Sequence, residues 1–172
     1  MTMRWGFAIF FLVAAHSVGA SESSRGPFCS GPTSGDVELH LSVAPGASSP
    51  LDPTLTLVFV NTSGHPIALA TPLTFGHALF LSITRNGIQV PLSGSLVANV
   101  PGRPLILKPG ARHKITRHLR RIENFTVPAL EPGPHMVSVC YRNPHSSSAS
   151  SAPERTSWPE LLVSAEASFV TP

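Results

Sequence analysis

The sequence predicts an all-β protein, an immunoglobulin-like antiparallel β-sandwich of about seven to nine strands. Three observations lead there. Apolar and polar residues alternate with a period of two in several short windows. Eighteen prolines and 13 glycines among 172 residues divide those windows into strand-sized lengths. No window combines a 3.6-residue apolar period with helix caps, so no substantial helix is expected. Charged residues form only 12% of the chain. That is about half the usual quarter, which argues against a coiled coil, a charge-driven disordered tail and a nucleic-acid specialist.

The chain opens with one positive charge in Met1–Arg4, then the unbroken eleven-residue apolar run Trp5–Ala15, then Val18-Gly19-Ala20. This pattern predicts a signal peptide over residues 1–20, cleaved after Ala20. Eleven apolar residues are too few to cross a hydrocarbon core, which needs about 20. The mature protein is therefore expected to be secreted or periplasmic, without stable membrane insertion. Removing Arg4 from 12 Lys+Arg leaves 11 against 9 Asp+Glu, a net charge of +2. That is too near neutral for general polyanion binding.

Residues 21–35 are rich in Ser, Gly and Pro and predict an irregular leader, and residues 36–172 predict the sandwich domain. Val37, Leu39, Leu41 and Val43 alternate with Glu38, His40 and Ser42, the pattern of a half-buried strand. Thr54–Val60 is apolar enough to predict a central strand buried on both faces. Ile67–Ala70 predicts a short strand, and Ala78–Thr84 another with Leu79, Leu81 and Ile83 on one face. Asn86-Gly87 directly after it is the strongest hairpin signal, because both residues tolerate positive φ, and Ile88–Pro91 returns as the partner. After a long loop over Leu92–Pro104 come Leu105–Leu107, a Pro109-Gly110 turn and the basic strand Arg112–Leu119. His135–Arg142 places Val137, Val139 and Tyr141 on one face and Met136, Ser138 and Cys140 on the other. Asn143–Ser157 reads as a loop, and Leu161–Phe169 alternates toward the C-terminus.

In an exported domain the two cysteines, Cys29 and Cys140, read as one disulfide. Closing a loop of about a hundred residues adds roughly 4–5 kcal/mol in the chain-entropy account. The bond would fix the leader to a late strand.

Catalytic signatures are absent from the sequence. It holds no His-Glu-x-x-His and no His-x-His, and His113 and His118 fall on opposite sides of a strand. There is no Gly-x-Ser-x-Gly, no activating base beside a cysteine, and nine scattered acids in place of a carboxylate pair. No catalytic residue, metal site or cofactor is expected. Two Asn-x-Ser/Thr sequons, at Asn61 and Asn124, matter only in a host that glycosylates exported proteins.

One segment stands apart. In Arg112–Arg121, five of ten residues are cationic (Arg112, Lys114, Arg117, Arg120, Arg121) and none is acidic. In a strand, Arg112, Lys114 and His118 share one face while Ile115 and Leu119 anchor the other. Such a patch suits an acidic partner or an anionic envelope surface. It also suits an edge strand protected against aggregation by its charges.

The central order of signals resembles a known family. Leu57-Val58-Phe59-Val60-Asn61-Thr62-Ser63 is followed by Thr71-Pro72-Leu73, then by Leu79–Val90 with Arg85-Asn86-Gly87, Gly94, Lys108-Pro109-Gly110, and Pro132-Gly133 before a strand ending in Tyr141. Over roughly residues 54–142 this is similar to the N-terminal β-sandwich domain of secreted bacterial aspzincin (deuterolysin-like) zinc endopeptidases. A looser likeness extends to bacterial intracellular proteinase inhibitors. The zinc-binding His-Glu-x-x-His and the downstream catalytic aspartate of the peptidases have no counterpart here. Family members often carry tyrosine two residues after the late glycine, where this chain has His135. The resemblance implies a sandwich that blocks or assists a protease, and no protease activity. Loops Thr71–His77 and Leu92–Pro104 are then the candidate contacts. The expected function is an exported non-catalytic binding domain, an inhibitor or folding partner whose protein partner is a secreted zinc endopeptidase. The alternative is an envelope-associated structural or adhesion module using the basic strand or a sheet edge.

Overall fold

The computed structural model describes residues 35–46, 52–71, 73–94, 103–143 and 162–172. The expected signal peptide, the expected leader up to residue 34 with Cys29, and most of the 143–157 segment lie outside them. The described residues form an all-β fold of antiparallel sheets, as the alternation predicted. Eleven strands are present: β1 Val37–Ala44, β2 Thr54–Asn61, β3 Ile67–Leu69, β4 Leu79–Arg85, β5 Ile88–Gln89, β6 Ser93–Gly94, β7 Leu105–Leu107, β8 Arg112–His118, β9 Phe125–Thr126, β10 Gly133–Arg142 and β11 Leu162–Thr171. Eight are three residues or longer, and three are two-residue ladders. A 3₁₀ turn, Leu119–Arg121, is the one helical element among the described residues.

A three-stranded sheet runs β1-β2-β8, and a four-stranded sheet runs β11-β10-β4-β5. Two small ladders, β3-β7 and β6-β9, accompany them. The two larger sheets share one core. Leu55, Leu57 and Phe59 from β2 and Val137, Val139 and Tyr141 from β10 are all fully buried in it. The Phe59 and Tyr141 rings meet edge to face with centroids 5.4 Å apart, the arrangement that the ring quadrupoles favour. The Tyr141 hydroxyl accepts a hydrogen bond from the Ala70 amide at 2.7 Å. That bond satisfies its polar end and ties β10 to the end of β3. Burial pushes the Tyr141 phenol well above its usual range, partly offset by this bond.

One expectation is corrected here. Strand β2 is central, but it is buried on one face only: Thr54, Thr56, Val58 and Val60 are half-buried and alternate with the fully buried set. The outer rows of its sheet, Arg112–Val60–Glu38, Lys114–Val58–His40 and Thr116–Thr56–Ser42, are largely polar. A run rich in β-branched residues thus reads as two-sided in sequence, although only its Leu-Leu-Phe face has a layer against it.

The hairpin forms where Asn86-Gly87 placed it. Both residues have positive φ, 51° and 77°, and Arg85 pairs with Ile88, which is the geometry of a two-residue primed turn. Gly94 is needed for a different reason. A Cβ there would lie 2.2 Å from the Asn124 carbonyl oxygen, so only glycine lets β6 approach β9.

Asn61 closes β2 from within. Its side chain is buried, donates to the carbonyls of His65 and Leu107 at 2.8 and 2.9 Å, and accepts from the Ser63 amide and hydroxyl. The sequon at Asn61 is therefore a structural clamp. The Asn124 amide likewise donates to the Phe75 carbonyl at 2.7 Å, and its residue sits at a φ of 63°. Both side-chain amides are committed inside the fold.

Candidate partner-binding edge

The basic segment folds as the alternation required. Along β8, Arg112, Lys114, Thr116 and His118 are exposed, Ile115 is buried, and Leu119 behind the strand is fully buried. Ile115 and Leu119 anchor the strand to the core and leave its cationic face to solvent.

Sheet order gives this strand a second property. β8 pairs with β2 on one side, and among the described residues no strand pairs with its other side. Which backbone groups lie open follows from the hydrogen-bond phase. The Leu119 amide donates to the Pro53 carbonyl at 2.8 Å, and the Asn61 amide donates to the Ala111 carbonyl at 3.1 Å. Bonded pairs alternate along an antiparallel ladder. Residues 113, 115 and 117 therefore turn their amide and carbonyl groups to β2, as do the Ala111 carbonyl and the Leu119 amide, while the Ala111 amide donates to the Lys108 carbonyl at 2.9 Å. The amides and carbonyls of Arg112, Lys114, Thr116 and His118 point away from it, along the same residues whose side chains are exposed.

A groove of about 440 Å³ runs beside this edge. One wall is β8 from His113 to Arg117, and the other is Thr71, Leu73, Thr74 and Leu105. Its apolar floor comes from Leu73, Leu105 and Ile115.

The five cations of the segment are not equivalent. Arg112, Lys114, Arg120 and Arg121 have no carboxylate within ion-pair distance among the described residues. The half-buried Arg117 side chain instead pairs through Nε with Glu123, and its Nη1 donates to the Thr116 carbonyl at 2.9 Å. One outward carbonyl of the edge is thus already covered by a guanidinium. Arg120 and Arg121 lie on the 3₁₀ turn beyond the strand, where the Arg120 amide donates to the Asp52 carboxylate at 3.0 Å.

Cys140 is fully buried on the opposite face of β10 from Tyr141, in a small apolar cluster with Leu162 and Phe80. No cysteine among the described residues is free. Cys29 lies outside them. Among the described residues no three His, Cys, Asp or Glu side chains converge in a way that could hold a metal. No helix among them is long and apolar enough to cross a membrane.

The loop Thr71–His77, a candidate contact in the sequence, is inward-facing. Leu73, Phe75 and His77 are buried, Phe75 completely, because the segment supplies core side chains between β3 and β4. The same segment also gives Thr71, Leu73 and Thr74 to the wall of the groove beside β8. Of the other candidate loop, Ser93–Gly94 pairs with Phe125–Thr126, and residues 95–102 lie outside the described set. A second groove, of about 330 Å³, flanks the Asn86-Gly87 hairpin. Its cation, Arg85, is held by Glu131 and by the Pro132 carbonyl at 2.9 Å, so it offers little net charge.

The sequence named the cations of this segment and, within the loop Thr71–His77, Leu73, but gave no signal for Leu105 or Glu123 beside them. Leu73 and Leu105 lie well upstream of β8, Leu105 in the preceding strand β7, and only the fold brings them alongside it. No local signal marks Glu123 as a partner of Arg117. No family model matches the chain, and no curated protein matches it.

Proposed function

We propose that this chain is an exported, non-catalytic binding domain of immunoglobulin-like sandwich type, which meets another protein through the open edge of β8. The observation that carries the reading is the pairing of outward backbone groups with unneutralised cations on the same alternate residues, Arg112 and Lys114, on a rigid scaffold. A preordered strand of this kind costs little entropy on binding, and an exposed sheet edge offers main-chain hydrogen bonds to an incoming segment. Burial of Cys140 with no free cysteine among the described residues supports a Cys29–Cys140 bond, which suits an oxidising compartment.

The specific version follows the family resemblance: an inhibitor or folding partner of a secreted zinc endopeptidase, without nucleic acid, cofactor or membrane insertion. Titrating the purified chain against secreted zinc endopeptidases tests it. Stoichiometric loss of peptidase activity is expected, and unchanged activity at micromolar excess removes the protease version. The alternative, an envelope-associated structural or adhesion module, draws on the same edge and predicts retention on anionic envelope polymers with no effect on peptidases.

A further inference from the structure

We propose that the open edge of β8 is a strand-addition site for an extended segment of a partner protein in which acidic and apolar residues alternate; this rests on the reading of the chain as a binding domain. A strand laid beside β8 carries two rows of side chains, one on each face of the extended sheet. The outer row joins Arg112, Lys114, Thr116 and His118, where two cations stand without carboxylates. The inner row enters the groove between β8 and Leu73 and Leu105, over Ile115. Charge selects acid for the first row, and desolvation selects apolar residues for the second. The period of two is common to both strands, so the acids of the incoming segment recur at the same spacing as Arg112 and Lys114.

The chemistry of the edge also selects against a second copy of this chain. Two β8 strands side by side would set Arg112 and Lys114 of one copy against the basic row of the other, and like charges directly opposite are unfavourable. Arg117 modulates the site. Its guanidinium occupies the outward Thr116 carbonyl and is held by Glu123, so the full two-bond pairs form at Arg112 and Lys114. Arg117 must share or release the bond at Thr116.

The test uses the full chain and a capped seven-residue peptide alternating glutamate and valine, the length of β8, followed by fluorescence anisotropy and amide hydrogen exchange. Binding is expected to weaken as salt rises. The amides of Arg112, Lys114, Thr116 and His118 are expected to exchange fast in the free chain and slow when peptide is bound. Thr116→Pro deletes one outward amide and leaves every bond to β2 intact, and Lys114→Glu reverses one exposed charge. Each is expected to weaken the peptide about tenfold or more with an unchanged melting temperature.

Four results would overturn the proposal: equal binding by Thr116→Pro, equal binding of a lysine-valine peptide, protection of those amides in the free chain at low concentration, or their protection by self-association. The first puts the contact elsewhere, the third assigns the edge to a segment of this chain, and the fourth to a second copy. Peptidase inhibition that persists in both variants while the peptide fails to bind sinks the edge and spares the binding-domain reading. Peptide binding at β8 without peptidase inhibition removes the protease version and spares the edge.

Discussion

Strands β1 and β8 flank the same central strand, yet β1 is built into the molecule and β8 has, among the described residues, no strand on its outer side. β1 carries Val37, Leu39, Leu41 and Val43 on its inner face, and it runs close to β11 of the opposite sheet. β8 has a single buried residue, Ile115, and exposes Arg112, Lys114, Thr116 and His118. Relative to the buried face, the backbone phase is opposite on the two sides. The Thr62 amide donates to the Asp36 carbonyl at 3.0 Å, so the odd residues of β1 turn their backbone groups outward. What differs is which side chains accompany those groups. On β1 they are the core residues, so the edge adjoins apolar material from the neighbouring sheet. On β8 they are the cations, which repel a like strand and remain hydrated. An edge is thus open or closed according to the phase between its hydrogen bonds and its hydrophobic row.

Four measurements test whether the two edges differ in this way. The largest effect is expected on the built-in side. Leu39→Ala should cost about 2–5 kcal/mol in urea denaturation, whereas Lys114→Ala on the open strand should stay within about 0.5 kcal/mol. Comparable losses from both would erase the distinction.

Asn61, where β2 ends, is next. Asn61→Ala removes the amide donor to the His65 and Leu107 carbonyls and the acceptor of the Ser63 amide, and about 1–3 kcal/mol of stability should go with it. Because the native side-chain amide is fully engaged, mass spectrometry of folded protein from a glycosylating host should find Asn61 unmodified.

Alkaline pH probes the core between the sheets. Tyr141 is the chain's single tyrosine, and its folded pKa is raised above the ordinary 10.0 by burial. The neutral phenol is the form that the fold keeps, so its stabilising contribution is complete below pH 10 and declines above it. The slope is up to about 1.4 kcal/mol per pH unit until the folded pKa is reached. Phenolate absorbance should rise together with unfolding, and a phenolate that appears in still-folded protein near its ordinary pKa would contradict the burial.

The smallest effect belongs to Glu123→Gln. The Arg117–Glu123 pair is partly exposed, so its loss should change stability by only about 0–1 kcal/mol. It should nevertheless speed the exchange of amides around Thr116, because the guanidinium that covers this carbonyl loses its tether.

Much of the fold was legible in the residues themselves. The alternation in Val37–Val43 and His135–Arg142 separated the two faces of each strand, although Cys140 is buried on the face opposite Tyr141. Asn86-Gly87 fixed a hairpin because few other residue pairs accept two positive φ angles. The basic strand and its two-faced character were equally plain. Thr54–Val60 misled because β-branched residues suit a strand whether one face or both are covered. The loop Thr71–His77 hides its burial for a related reason. Its turn residues are local signals, but the burial of Phe75 is decided by elements far along the chain.

Local chemistry therefore determined that this protein is made of strands, where one tight turn falls, and that its densest run of cations is Arg112–Arg121. Tertiary structure alone decided that the strand in this run lies at an edge, that its outward amides coincide with its charges, that Leu73 and Leu105 face it, and that Arg117 is already paired with Glu123. Strand order and hydrogen-bond phase are set by pairings between distant segments, such as β2 with β8. Those pairings are chosen by the total burial that the whole chain can reach, a quantity that no short window of residues contains.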